Sequence, residues 1–136
     1  MSQIQSVQII KRKLITDDRG WFLKAMTGLE ENLGDGPIGE VYLTMGHVGE
    51  SKGGHFHPIA KEWFTVIRGN AILKLEDVVT NERRDIPLSL EEAVTVFIPN
   101  NVAHLVVNAG TEDFILLAYT DRQYDPADTI SYKIKS

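Results

Sequence analysis

Apolar and polar positions alternate along EVYLTMGHV (40–48), where Val41, Leu43 and Met45 oppose Tyr42, Thr44 and Gly46. A period of two is the signature of a strand. Similar β-branched and aromatic runs recur at VQIIKRKLI (7–15), GWFLKAM (20–26), EWFTVIRG (62–69), NAILKLEDV (70–78), VTVFIP (94–99), AHLVVN (103–108), DFILLAYT (113–120) and ISYKI (130–134). Turn residues separate them at 17–20, 34–37, 68–70, 99–101 and 108–110. Residues 27–33 fit one or two helical turns, with Thr27 as cap and Glu30 three residues on. Residues 89–92 have a similar look, but the runs around them favour a strand and turn. About nine strands without an internal repeat, linker or charge block predict an all-β, double-sheet jelly roll forming one domain over 1–136.

Composition narrows the function classes. The chain has 136 residues, 43% of them hydrophobic and 24% charged, which are globular proportions. A net charge of −5 lacks the positive field that nucleic-acid binding needs. Without cysteine there is no disulfide, thiolate site or cysteine nucleophile. The longest apolar run, 114–119, is strand-sized, and the N-terminus does not have the order of a secretory signal. The expectation is a cytoplasmic protein without nucleic-acid or membrane partners.

Three of the four histidines form one pattern. His55 and His57 are two apart, so on a strand both rings leave the same face. Glu62 opens the next strand, and His104 begins another about forty residues later. Three imidazoles and a carboxylate suit a borderline divalent ion: zinc foremost, or manganese, iron, cobalt or nickel.

These residues also carry a resemblance. Gly49-x5-His55-x-His57-x4-Glu62-x6-Gly69 resembles the first cupin motif at every position. Ala93-x5-Pro99-x-Asn101-x2-His104-x3-Asn108 resembles the second, with Ala93 and Asn101 standing where glycines are usual. Asparagine tolerates positive φ in a tight turn, and the alanine predicts a turn that does not need it. DDRGWF (17–22), SKGGHFH (51–57), KEWFTVIRGNAIL (61–73), VFIPNNVAHLVVNAGTEDF (96–114) and YDPADT (124–129) resemble the cupin domain of capsular-polysaccharide reductase/epimerase proteins. The resemblance to keto-sugar 3,5-epimerases and 3,4-ketoisomerases is more distant.

The resemblance implies a nucleotide-sugar epimerase or isomerase acting on a 4-keto-6-deoxyhexose, working as a homodimer. Strand 7–15 is the candidate sheet edge for pairing. The metal ligands implied are His55, His57, Glu62 and His104. Lys52, Tyr42 and Tyr124 are the candidates for handling the proton, and His55 is the imidazole candidate for base. A ring bound to metal cannot also accept a proton. A metal-dependent oxygenase and a non-catalytic sugar-binding cupin stay open as alternatives. Arg19, Arg68 and Lys52 are candidate cations for a diphosphate, although 17–20 reads first as a hairpin turn. His47 and Tyr119 read as packing or edge residues. Trp21-Phe22 and Trp63-Phe64 are adjacent pairs that present one ring to each sheet face, so one ring of each is core and the other an interface or stacking surface. Glu76, Asp77 and 81–85 read as a solvated hairpin tip without chemistry.

Overall fold

The computed structural model describes residues 2–34 and 39–134. The turn expected at 34–37 lies mostly outside them. The strands are β1 (Gln8–Lys11), β2 (Ile15–Asp17), β3 (Gly20–Phe22), β4 (Glu40–Gly46), β5 (Ser51–Phe56), β6 (Glu62–Arg68), β7 (Asn70–Asp77), β8 (Arg83–Ser89), β9 (Val94–Ile98), β10 (Val102–Asn108), β11 (Phe114–Thr120) and β12 (Ile130–Ser131). They form two five-stranded antiparallel sheets in the orders β1-β9-β6-β11-β4 and β12-β5-β10-β7-β8, with β2-β3 as a separate hairpin. The all-β jelly roll read from the sequence is the fold observed. No helix among the described residues is long and apolar enough to cross a membrane.

The core lies between the sheets, where alternate residues of each strand turn inward. Leu73 and Leu75 of β7, Val96 and Ile98 of β9, and Phe114 and Leu116 of β11 are buried there. The central strand β6 is buried on both faces over Glu62 to Val66. Phe64 faces the core, while Trp63 packs on the other side between Phe97 and Tyr119, with ring centroids 5.0 and 5.6 Å away. Trp63 is therefore packing, as is Tyr119. Trp21 and Phe22 remain half exposed on the hairpin.

Several expectations need correction. Residues 27–33 form no helix: among the described residues the one backbone bond made there is Leu33 N–H to Glu30 O. The Glu30 carboxylate still reaches back to the Thr27 N–H, so the capping contacts exist without the helix. Residues 89–92 end β8 and turn, as the runs around them favour. Run 7–15 breaks after Lys11, where Arg12 leaves the sheet to pair with Glu30 at 2.5 Å. Strand β8 was hidden by its charges and Pro87, which suit it to the sheet edge it occupies. Strand β5 was hidden by Gly53 and Gly54. Asp77 is buried rather than solvated, and its carboxylate accepts the N–H groups of Gln3, Val79 and Thr80. Asn101 does take φ 63°, and Ala93 has no positive φ.

Candidate metal centre

Register brings the histidines together. His104 of β10 stands directly opposite His55 of β5, with ring centroids 4.7 Å apart. A bulge follows at once: Leu105 pairs with Gly53, so Gly54 is the extra residue, and both glycines have positive φ. A Cβ on Gly53 would sit 2.8 Å from the His104 backbone oxygen, so the approach that sets this register requires glycine. His57 lies just past the end of β5. Its ring centroid is 5.1 Å from that of His55 and 5.4 Å from that of His104.

One ligand atom from each of His55, His57 and His104 falls within 4.8 Å of the others. Glu62 joins them through Oε1, which lies 3.1 Å from His57 Nε2 and 3.3 Å from His104 Nε2. The other Glu62 oxygen, Oε2, accepts the Tyr42 hydroxyl at 2.7 Å. Tyr42, Ala118 and Phe64 are in register across β4, β11 and β6, and the small alanine leaves room for the phenol.

The protonation states follow from these partners. His57 Nδ1 lies 2.8 Å from the Asp128 backbone oxygen. A carbonyl only accepts, so Nδ1 carries the hydrogen. In a neutral ring the bare Nε2 then faces a carboxylate oxygen, an arrangement that needs a positive group, a proton or a metal ion. Burial pulls the His57 pKa down, but Glu62 and the Asp128 carbonyl raise it further. Burial lowers His104 to about 4, and burial with the neighbouring His57 lowers His55. Burial disfavours the Glu62 carboxylate, yet its histidine neighbours and Tyr42 hold its pKa well below the usual range. Burial and Glu62 push the Tyr42 phenol far above its ordinary value.

A divalent ion fits this donor set. Among the described residues both His104 nitrogens are buried without a hydrogen-bond partner, and Glu62 Oε1 has only histidine nitrogens beside it, a costly state for polar atoms unless a proton or an ion is bound. Four donors about 2.1 Å from one ion are about 3.4 Å apart in a tetrahedron, comparable with the spacings to Glu62 Oε1.

The cluster opens into a cavity of about 380 Å³. Besides His55, His57, Glu62 and Tyr42, its lining includes Arg122 and Tyr124. Lys52 is not brought to the site: it is exposed opposite Val106 and does not line the cavity. Arg19 pairs with Asp17 in the hairpin, and Arg68 pairs with Glu112. Neither is a cavity cation. His47 is an exposed edge residue 3.0 Å from Asp113. Sequence reasoning missed Arg122 and Asp128. Asp125-Pro126 is legible as a capped turn, but nothing local connects it to a histidine some seventy residues earlier.

A family model described as the polysaccharide biosynthesis C-terminal domain matches residues 15–132. The UDP-2-acetamido-2,6-beta-L-arabino-hexul-4-ose reductase of Pseudomonas aeruginosa is 27% identical over 117 residues. That is 86% of this chain but 30% of the reductase, so the chain spans under a third of that relative's length. Among solved structures, the dTDP sugar isomerase of Desulfovibrio desulfuricans superposes with a TM-score of 0.87 at 15% identity, over 98% of this chain and 87% of that one. A double mutant of the 3,4-ketoisomerase of Thermoanaerobacterium thermosaccharolyticum, in complex with TDP, gives 0.74 at 25% identity, over 91% and 86%. The fold is that of the cupins, as the paired motifs implied. With the match running from β2 to the end of β12, the chain belongs to the family of polysaccharide biosynthesis C-terminal domains.

Proposed function

We propose that the chain is an epimerase or isomerase acting on a nucleotide-linked 4-keto-6-deoxyhexose. The observation that carries the reading is the cavity of about 380 Å³, which joins the histidine–glutamate cluster to Arg122 and Tyr124. Removing a proton beside a ketone requires a base and a group that stabilises the enolate. In this reading His55, His57, Glu62 and His104 hold a divalent ion, zinc foremost. Such an ion supplies Lewis-acid polarisation of the ketone oxygen when bound. Tyr124 handles the proton, since its hydroxyl has no partner among the described residues. Tyr42 is less suited to that role, because its hydrogen is already donated to Glu62. Arg122, unpaired among the described residues, faces the substrate's anionic portion. The named activities of the isomerase and ketoisomerase of like fold support the same chemistry.

The test is incubation in heavy water with thymidine- or uridine-linked 4-keto sugars, followed by mass spectrometry. Deuterium is expected at carbon 3, or at carbons 3 and 5, with the rate reduced at least about 100-fold in Tyr124→Phe. No label from either nucleotide series would leave the chain a binding domain.

The same reading includes a homodimer. Strand β1 is a sheet edge, as expected for the N-terminal run, but β4 at the opposite edge is the more apolar surface. Val41, Leu43 and Met45 are 66, 64 and 45% exposed there, the kind of edge that proteins cover. Light scattering should give twice the chain mass for wild type and the single-chain mass for Leu43→Lys. A monomeric wild type at all concentrations overturns the dimer.

A further inference from the structure

We infer that Asp128 is a positioning residue for His57, latching the loop that carries the ring and fixing its tautomer. This deepens the proposed ligand role of His57 and rests on it for the metal readout alone. Three bonds converge on Asp128. Its Oδ1 accepts the Ile59 N–H at 2.8 Å, its Oδ2 accepts the Ala60 N–H at 3.0 Å, and its backbone oxygen accepts His57 Nδ1 at 2.8 Å.

Each of these bonds has a consequence. The carboxylate belongs to a buried residue, and a buried charge is tolerated only when hydrogen-bonded. Charge-assisted bonds to two successive N–H groups meet that need and hold the loop at its middle. The backbone bond keeps the hydrogen on Nδ1, so the Nε2 lone pair is left 3.1 Å from Glu62 Oε1, where a ligand atom is wanted.

Asp128 is itself held firmly. It ends the 3-10 turn Pro126–Asp128, where Asp125 caps the Ala127 N–H and the Asp128 N–H returns to the Asp125 oxygen. Two residues later β12 begins, and its Ser131 pairs with His55. This one short segment thus braces the backbone at His55 and the ring of His57. Losing the Asp128 side chain need not release the loop. Asn101 N–H still donates to the His57 oxygen, Asn100 Nδ2 to the Pro58 oxygen, and Lys61 N–H to Asp121 Oδ1.

The experiment uses metal-free and zinc-titrated protein, with the His57 ring followed by nitrogen-15 NMR. Wild type should show a hydrogen on His57 Nδ1 in both forms, with a second proton on Nε2 only when zinc is absent. Asp128→Ala should lose the Nδ1 hydrogen in part of the population, and its zinc Kd should rise by about 10- to 100-fold. Asp128→Asn retains one acceptor and should fall between the two. Should the alanine variant fail to fold, the asparagine variant decides by the same readouts. An unchanged Kd and an unchanged Nδ1 hydrogen would overturn the inference. If wild type binds no zinc, the ligand reading of His57 fails, while the Nδ1 comparison still decides the role of Asp128.

Discussion

Purified protein should carry about one divalent ion per chain, and His57→Ala should keep about a tenth of that content or less. The size of the effect follows from the neighbours that the alanine leaves behind. Glu62 Oε1 is buried beside histidine nitrogens, and His57 Nε2, 3.1 Å away, is the nearest of them. Without that ring an ion keeps two imidazoles and one carboxylate oxygen, because Tyr42 occupies the other. Glu62→Gln should lose the ion as well, since an amide brings no charge to a buried site. Metal analysis of the three proteins decides, and equal contents would remove the ion from the site. Acid adds a second check. Ligand rings must be deprotonated, and protons compete first at His57, whose pKa is raised, rather than at His55 or His104, where burial lowers it. Ion content should therefore fall as pH drops, beginning at His57 above the ordinary histidine value.

How legible the site was depended on whether its determinants were local. The ligand types and their spacing are linear features, and the observed register of β5 against β10 brings them to one point. Lys52 was misjudged because spacing alone says nothing of the Gly53–Gly54 bulge between it and His55. Tyr42 was legible as a cavity residue by parity, but not as a donor to Glu62. That contact crosses β11 and depends on Ala118 being small. Asp128 and Arg122 follow β11, and only the closed barrel brings that segment beside the loop after His57. Fold class was the easier inference, since alternating runs and turn residues repeat along the chain. The strands missed were the glycine-broken β5, the charged, proline-bearing β8, and the three-residue β2, which run 7–15 reaches only at Ile15.

Acid should weaken the fold through Glu30, outside the histidine cluster. Burial pushes the Glu30 pKa up, but Arg12 and the Thr27 N–H and hydroxyl outweigh it and bring it from 4.5 to about 2. The side chains of Arg12 and Glu30 are only 11% and 2% exposed, so solvent screens the pair little. Arg12 Nε also donates to Thr95 Oγ1, which donates in turn to the Ala25 oxygen. Thr95 has then spent its one hydrogen, so Thr65 must be the donor in their 2.8 Å contact. This network ties 25–30 to β9 and β6 without a helix. A depressed folded-state pKa contributes stability that is complete above the unfolded value of 4.5 and lost as pH falls toward 2. The contribution at pH 7 is about 3 kcal/mol, with more than half gone by about pH 3. Denaturant unfolding of wild type and Glu30→Gln should therefore differ by about 3 kcal/mol at pH 7 and by less than half of that at pH 3. Comparing the two proteins at each pH cancels the other carboxylates that titrate in the same window. A difference that stays constant with pH would mean that the Glu30 charge is not what holds this segment to the sheet.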